Sequence, residues 1–298
     1  MTETAACAYE TIYYTLWEAA QRYGEIAQFR VIGKSHDDRM IPMLELGTGE
    51  DAVFCLAGLC GPDRRMPSYL MWMVQEYCTA WECGWELEEF YDVRSLLKSW
   101  RLCFIPVLNP DGYEIYEKDY IVIRNPIYRQ MLRMQETPCV EYCCNARGMD
   151  IQRNFPTSYY SRNRIHQQPA SENETKALIR VFQEYTGRGL LSFGSAGRKI
   201  VYFRQPQSFA VNQKSYRLAR HLQQKAGFRM EKYTFDMDKK DISHLSGGGS
   251  PERYYAEVCR QPSFRIEVPP VSEEEKDICS MKEYQEIHTL PLEYLFSL

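Results

Sequence analysis

AVFCLAG, residues 52–58, is an unbroken apolar run flanked by turn residues. It leaves no polar face for water, so it reads as a strand buried on both faces, as in parallel sheets covered by helices. Outward from it, residues 67–81 and 87–100 carry helical spacing, and Leu102–Leu108 repeats the apolar strand pattern before the turn Asn109-Pro110-Asp111-Gly112. Strand, helix and strand in alternation predict an α/β domain with a largely parallel sheet.

Upstream, Tyr13, Leu16, Trp17 and Ala20 fall at i, i+3, i+4 and i+7 and predict a first helix with these residues on its apolar face. Residues 27–32 and 40–46 read as strands joined by a polar hairpin connection, Gly33 to Arg39. Downstream, Ser171-x-x-Glu174 predicts a capping box opening a helix whose Leu178, Val181, Phe182 and Tyr185 share a face. Strands at 189–193 and 199–203, a helix over 211–226, the loop Gly247 to Ser250, a last strand Ser263–Val268 and a terminal helix near 281–297 complete the chain. With no internal repeat, low-complexity tract or linker, residues 1–298 are expected to form a single domain.

The charge balance, 36 basic against 40 acidic side chains with a formal net of -4 and no basic run, argues against nucleic acid as a partner. No stretch approaches the ~20 apolar residues of a membrane span, and the start lacks a targeting pattern, so a soluble cytoplasmic protein is expected. Eleven cysteines, several in strand-like apolar runs, read as buried reduced thiols. The cluster Cys139, Cys143, Cys144 could bind metal or oxidise, but no second CxxC-like pair answers it and it gives either reading little support.

Five separated segments, in order and over nearly the whole chain, resemble the zinc carboxypeptidases: IGKSHDDR (32–39), VLNPDGYE (107–114), NARGMDIQRNFP (145–156), SENETKAL (171–178) and SFRIEVPP (263–270). The third is close to the version in bacterial relatives that cut cell-wall peptides. The resemblance implies an eight-stranded mixed, mostly parallel sheet flanked by helices. It also implies peptide-bond hydrolysis near a C-terminus by a zinc ion, held by a His-x-x-Glu pair and a distant His, with a glutamate as general base.

Placed without gaps, the resemblance puts the ligand positions on Cys60, Asp63 and Gly194, and glycine offers no side chain. None of the five histidines has a Glu, Asp or His three positions later. No zinc is therefore expected, unless Cys60 and Asp63 hold it by an altered ligation. The resemblance places Glu267 at the general base, Arg124 where an arginine steadies the carbonyl oxygen, and Arg153 where one grips the terminal carboxylate. Gln152 takes a neighbouring amide position, and His244 lies near a mobile tyrosine's place.

The expected function is a non-catalytic or catalytically impaired binder of peptides with a free carboxylate, cell-wall-type peptides included. The alternative is an active metallocarboxypeptidase or amidopeptidase with altered ligation. A thiol hydrolase using Cys60 would need His36 or His244 as base. Substituting His, Glu and His at positions 60, 63 and 194 is expected to create zinc affinity.

Overall fold

The computed structural model describes residues 3–158, 168–203, 209–233, 249–272, 275 and 277–298. The strands, in chain order, are β1 (Glu3–Ala5), β2 (Ala27–Lys34), β3 (Met40–Leu46), β4 (Asp51–Leu56), β5 (Glu86–Leu87), β6 (Tyr91–Asp92), β7 (Arg101–Ile105), β8 (Thr186–Gly194), β9 (Lys199–Tyr202), β10 (Arg229–Lys232), β11 (Ser263–Glu267) and β12 (Ile278–Ser280). Eight of them form one sheet in the order β10-β9-β11-β8-β4-β7-β3-β2, with β4 parallel to both β7 and β8.

The run read as a two-faced strand is one. Val53, Cys55 and Ala57 enter the core with the helices α1 (Tyr9–Arg22), α2 (Arg65–Cys83) and α7 (Phe209–Ala226). Ala52, Phe54 and Leu56 point the other way, against α6 (Asn173–Glu184), Tyr254 and Tyr255. Phe54 meets Phe182 and Tyr255 edge-on, at ring-centre separations of 5.1 and 5.8 Å. A fully buried ring of this kind contributes about 1.5–3 kcal/mol.

Several local expectations change. The core face of α1 is Tyr9, Ile12 and Leu16, flanked by Ala19 and Ala20, while Trp17, at the margin of that stripe, is exposed. The helix expected over 87–100 is the shorter α3 (Val93–Ser99), capped by Asp92 accepting from the Ser95 N–H. Before it, Glu88 and Glu89 have positive φ, incompatible with a right-handed helix, and turn the small β5/β6 hairpin. Asn109 is no mere turn: its side chain accepts from the Gly112 N–H and, with Pro110 in the first turn, opens α4 (Pro110–Lys118).

The capping box is absent. Glu172 holds the N-cap position of α6, and Ser171 instead accepts from Asn154 Nδ2 at 2.9 Å and donates to Glu172 at 2.7 Å. The terminal helix is two short ones, Met281–Ile287 and Leu290–Phe296, separated at His288-Thr289 with Pro291 in the second helix's first turn. The edge strand β10, RMEK, has no apolar alternation to announce it. No helix among the described residues is long and apolar enough to cross a membrane.

Candidate functional site: a cleft at the carboxyl ends of three strands

β4, β8 and β11 lie side by side and parallel, so their carboxyl ends open on one rim, where α/β sheets place ligands. After β4 the chain turns at Gly58 (φ 63), where a β-carbon would come within 2.6 Å of the Pro106 carbonyl oxygen. The turn delivers Leu59, Cys60, Pro62 and Asp63 to the wall of a cavity of about 250 Å³, whose far side is Gln152, Ser195, Ala196 and Arg265.

Cys60 is joined to Cys143 by a disulfide, so the reduced-thiol reading fails for both residues. The bond spans 83 residues and depends on the 139–145 segment folding back beside Gly61, where the Tyr142 carbonyl comes close. No local spacing could have announced it. It also leaves Cys60 no free thiolate, which removes the thiol-hydrolase alternative for the disulfide-bonded protein.

Asp63 accepts from Ser195 Oγ at 3.2 Å. Burial, and then the charge of Glu267, push its carboxyl up to about 7. Of the adjacent arginines, Arg64 stacks over Tyr113 and pairs with Glu117, while Arg65 lines the cavity but pairs with Glu283 and donates to the Pro269 carbonyl.

Glu267 is 3% exposed and stands in register with Gly194. Its Oε2 accepts from the Ala196 N–H at 2.6 Å, and its Oε1 pairs with Arg265 Nε at 2.5 Å. A β-carbon on Gly194 would lie 3.2 Å from Glu267 Oε2 and 3.5 Å from Arg265 Nη2. Gly194 does not have a positive φ, so crowding rather than backbone strain opposes a side chain there.

The zinc carboxypeptidase family profile matches residues 12–284. This chain belongs to the zinc carboxypeptidase family. Among solved structures, bovine thrombin-activatable fibrinolysis inhibitor in complex with a tick carboxypeptidase inhibitor superposes with a TM-score of 0.70 at 16% identity, covering 98% of this chain and 96% of that one. Carboxypeptidase A from Helicoverpa armigera gives 0.67 at 14% identity, covering 98% and 74%. A metallo-carboxypeptidase from Burkholderia cenocepacia gives 0.59 at 13%, covering 98% and 68%. At such identities these likenesses concern the fold. No curated protein matches the sequence significantly.

The fold places Cys60, Asp63, Gly194, Glu267 and Gln152 near one another at this rim. Two expected arginines stand outside the cavity lining. Arg153 pairs with Asp150 at 3.4 Å. Arg124 is exposed, and its backbone N–H donates to both carboxylate oxygens of Asp37 at 2.9 and 3.0 Å. His244 lies outside the described residues.

Two features escaped the sequence reading. Arg265 lines the cavity, yet the period of two in β11 already put it on the face of Glu267. His36, Glu172 and Glu174 offer donor atoms all within 4.8 Å of one another. Burial works to raise Glu172, but hydrogen bonds from His36, Ser171 and Asn145 outweigh it and hold the carboxyl at about 2. Burial, and then Asp111, push Glu174 up to about 7. The trio joins residues more than a hundred positions apart, beyond any spacing rule.

Proposed function

We propose that this chain is a non-catalytic member of the zinc carboxypeptidase family that binds peptide C-termini, cell-wall-type peptides among them, in the cleft at the ends of β4, β8 and β11. One observation carries the reading. At the three ligand positions Cys60 is held in a disulfide, Asp63 is hydrogen-bonded to Ser195, and Gly194 has no side chain. A catalytic zinc site needs three converging protein donors with a fourth position open, and this set supplies one carboxylate. The donors present therefore do not fit the metal, and no hydrolytic step is assigned to it. The base position survives as Glu267, but it is engaged by Arg265 and the Ala196 N–H.

Gln152 lines the cavity, and Arg153 follows it in the same 3-10 turn, Ile151–Arg153, with its side chain partly open to solvent. A carboxylate entering the cleft thus finds an amide and a planar guanidinium near its mouth. The test is calorimetric titration of purified protein with acetylated tripeptides and their C-terminal amides, alongside metal analysis and a hydrolysis assay. Binding that needs the free carboxylate, without stoichiometric zinc or turnover, is expected. Tight zinc together with turnover overturns the reading.

The His36, Glu172 and Glu174 trio favours a second reading, a metallopeptidase with altered ligation. It predicts that His36→Ala abolishes both a bound metal and hydrolysis. The trio shares no residue with the cavity lining, which makes this the weaker account.

A further inference from the structure

We propose that Arg265 is the resident cation of the cleft: its guanidinium takes the space a metal ion would need and presents its free N–H donors to an oxygen of the bound peptide. The inference rests on the reading of a metal-free binder and says what replaces the metal. On β11, Phe264 and Ile266 enter the core, so Arg265 and Glu267 share the opposite face. Arg265 Nε pairs with Glu267, and Nη2 reaches Gln152 Oε1 at 3.5 Å. The same Nη2 lies 3.5 Å from the point where Gly194 would carry a β-carbon, an ordinary contact distance, so the guanidinium lies directly against the third ligand position. The absent side chain at the third ligand position is therefore matched by a cation lying against it.

The surrounding charges fit a built-in cation. Arg265 feels the negative fields of Glu267, Glu252 and Asp63. Glu252 is 1% exposed, and neither of its carboxylate oxygens has a hydrogen-bond partner among the described residues. Arg65, the other arginine of the cavity, is spent on Glu283 and the Pro269 carbonyl. Arg65 also acts on Asp63, but without Arg265 the buried Glu267 would lose its ion-pair partner, a costly state in a low-dielectric site. A guanidinium has five N–H donors. Only Nε and one Nη2 hydrogen have partners among the described residues, and the side chain is 31% open to the cavity. The remaining donors form a planar fork suited to a carbonyl or carboxylate oxygen.

The metal arm of the test uses zinc alone, titrated into two proteins. One carries Cys60→His, Cys143→Ser, Asp63→Glu and Gly194→His; the other adds Arg265→Ala. The first should bind zinc more than about 100-fold more weakly than the second, because a fixed guanidinium opposes a dication at contact distance. Equal affinity in the two, or no zinc uptake by a folded second protein, overturns the proposal. Should the multiple variants fail to fold, Arg265→Ala in the natural chain supplies the readout. Millimolar methylguanidinium should raise its melting temperature and leave that of the parent unchanged, and an equal response in both overturns the proposal.

In the peptide arm, Arg265→Gln should weaken an acetylated tripeptide by at least about 10-fold, and unchanged affinity overturns the peptide contact. If the parent protein binds no tripeptide, the reading as a peptide binder fails, while the zinc arm still decides whether Arg265 holds the metal's place.

Discussion

Two polar regions of this molecule, both built from segments that resemble the family, differ in how their charges are settled. Beneath α4, Asp111 accepts from Ser35 Oγ at 2.7 Å and from Arg39 Nη1 at 2.9 Å, and Arg39 also pairs with Asp37 at 2.6 Å. Asp37 in turn anchors the backbone N–H groups of Arg124 and Asn125. That network is buried and complete. In the cleft, by contrast, Arg265 faces three carboxylates, one of them without a hydrogen bond among the described residues and one raised to about 7. The first set of polar groups is saturated from within, whereas the set at the strand ends keeps unused hydrogen-bonding capacity.

The largest effect should come from breaking the saturated side. Asp111→Ala leaves Arg39 and Asp37 buried without their partner and should cost about 3–5 kcal/mol in urea unfolding. A loss under 1 kcal/mol would dissolve the contrast. Next, removing the Cys60–Cys143 bond with Cys143→Ala should cost about 2–4 kcal/mol under non-reducing conditions, since the bond closes a long loop. Thiol titration of the denatured, unreduced parent should find nine free cysteines of the eleven. Eleven would mean that the bond does not form.

A third measurement uses pH. The folded Asp63 carboxyl keeps its proton up to about 7, while an unfolded chain releases it near ~4. The folded state therefore binds more protons in this interval, and stability falls as pH rises from about 4 to about 7. Asp63→Asn should flatten that slope. Glu174, raised by burial and Asp111, contributes with the same sign, and Glu174→Gln should remove its share. A slope unchanged by both substitutions would show that neither group is raised. The smallest effect is expected at Arg124, whose exposed side chain leaves the anchoring to its backbone N–H. Arg124→Ala should change stability by less than about 0.5 kcal/mol.

The frame was legible because its signals are local. AVFCLAG announces a doubly buried strand by composition alone, and two of the five resembling segments carry Gln152 and Glu267, which lie with Gly194 of β8 at one rim. The centre was less legible for physical reasons. A disulfide between positions 60 and 143 is decided by how a loop folds back, which no spacing encodes. Arg124 and Arg153 matched by position, yet position does not say which way an arginine reaches, and one stands exposed while the other pairs with Asp150. Arg265 was available from alternation along β11 but was overshadowed by the glutamate two residues later. The capping-box pattern at Ser171 misled because Asn154, seventeen positions away, takes the serine first.

The seating of Glu267 and Arg265 against Gly194 also ties these positions to one another. Changing positions 194, 60 or 265 singly disturbs a neighbour in each case. A histidine at 194 presses on Glu267 and Arg265, a histidine at 60 strands Cys143, and loss of Arg265 alone leaves the acidic cluster bare. Substitutions at these positions are therefore expected to be non-additive, each changing the surroundings of the next.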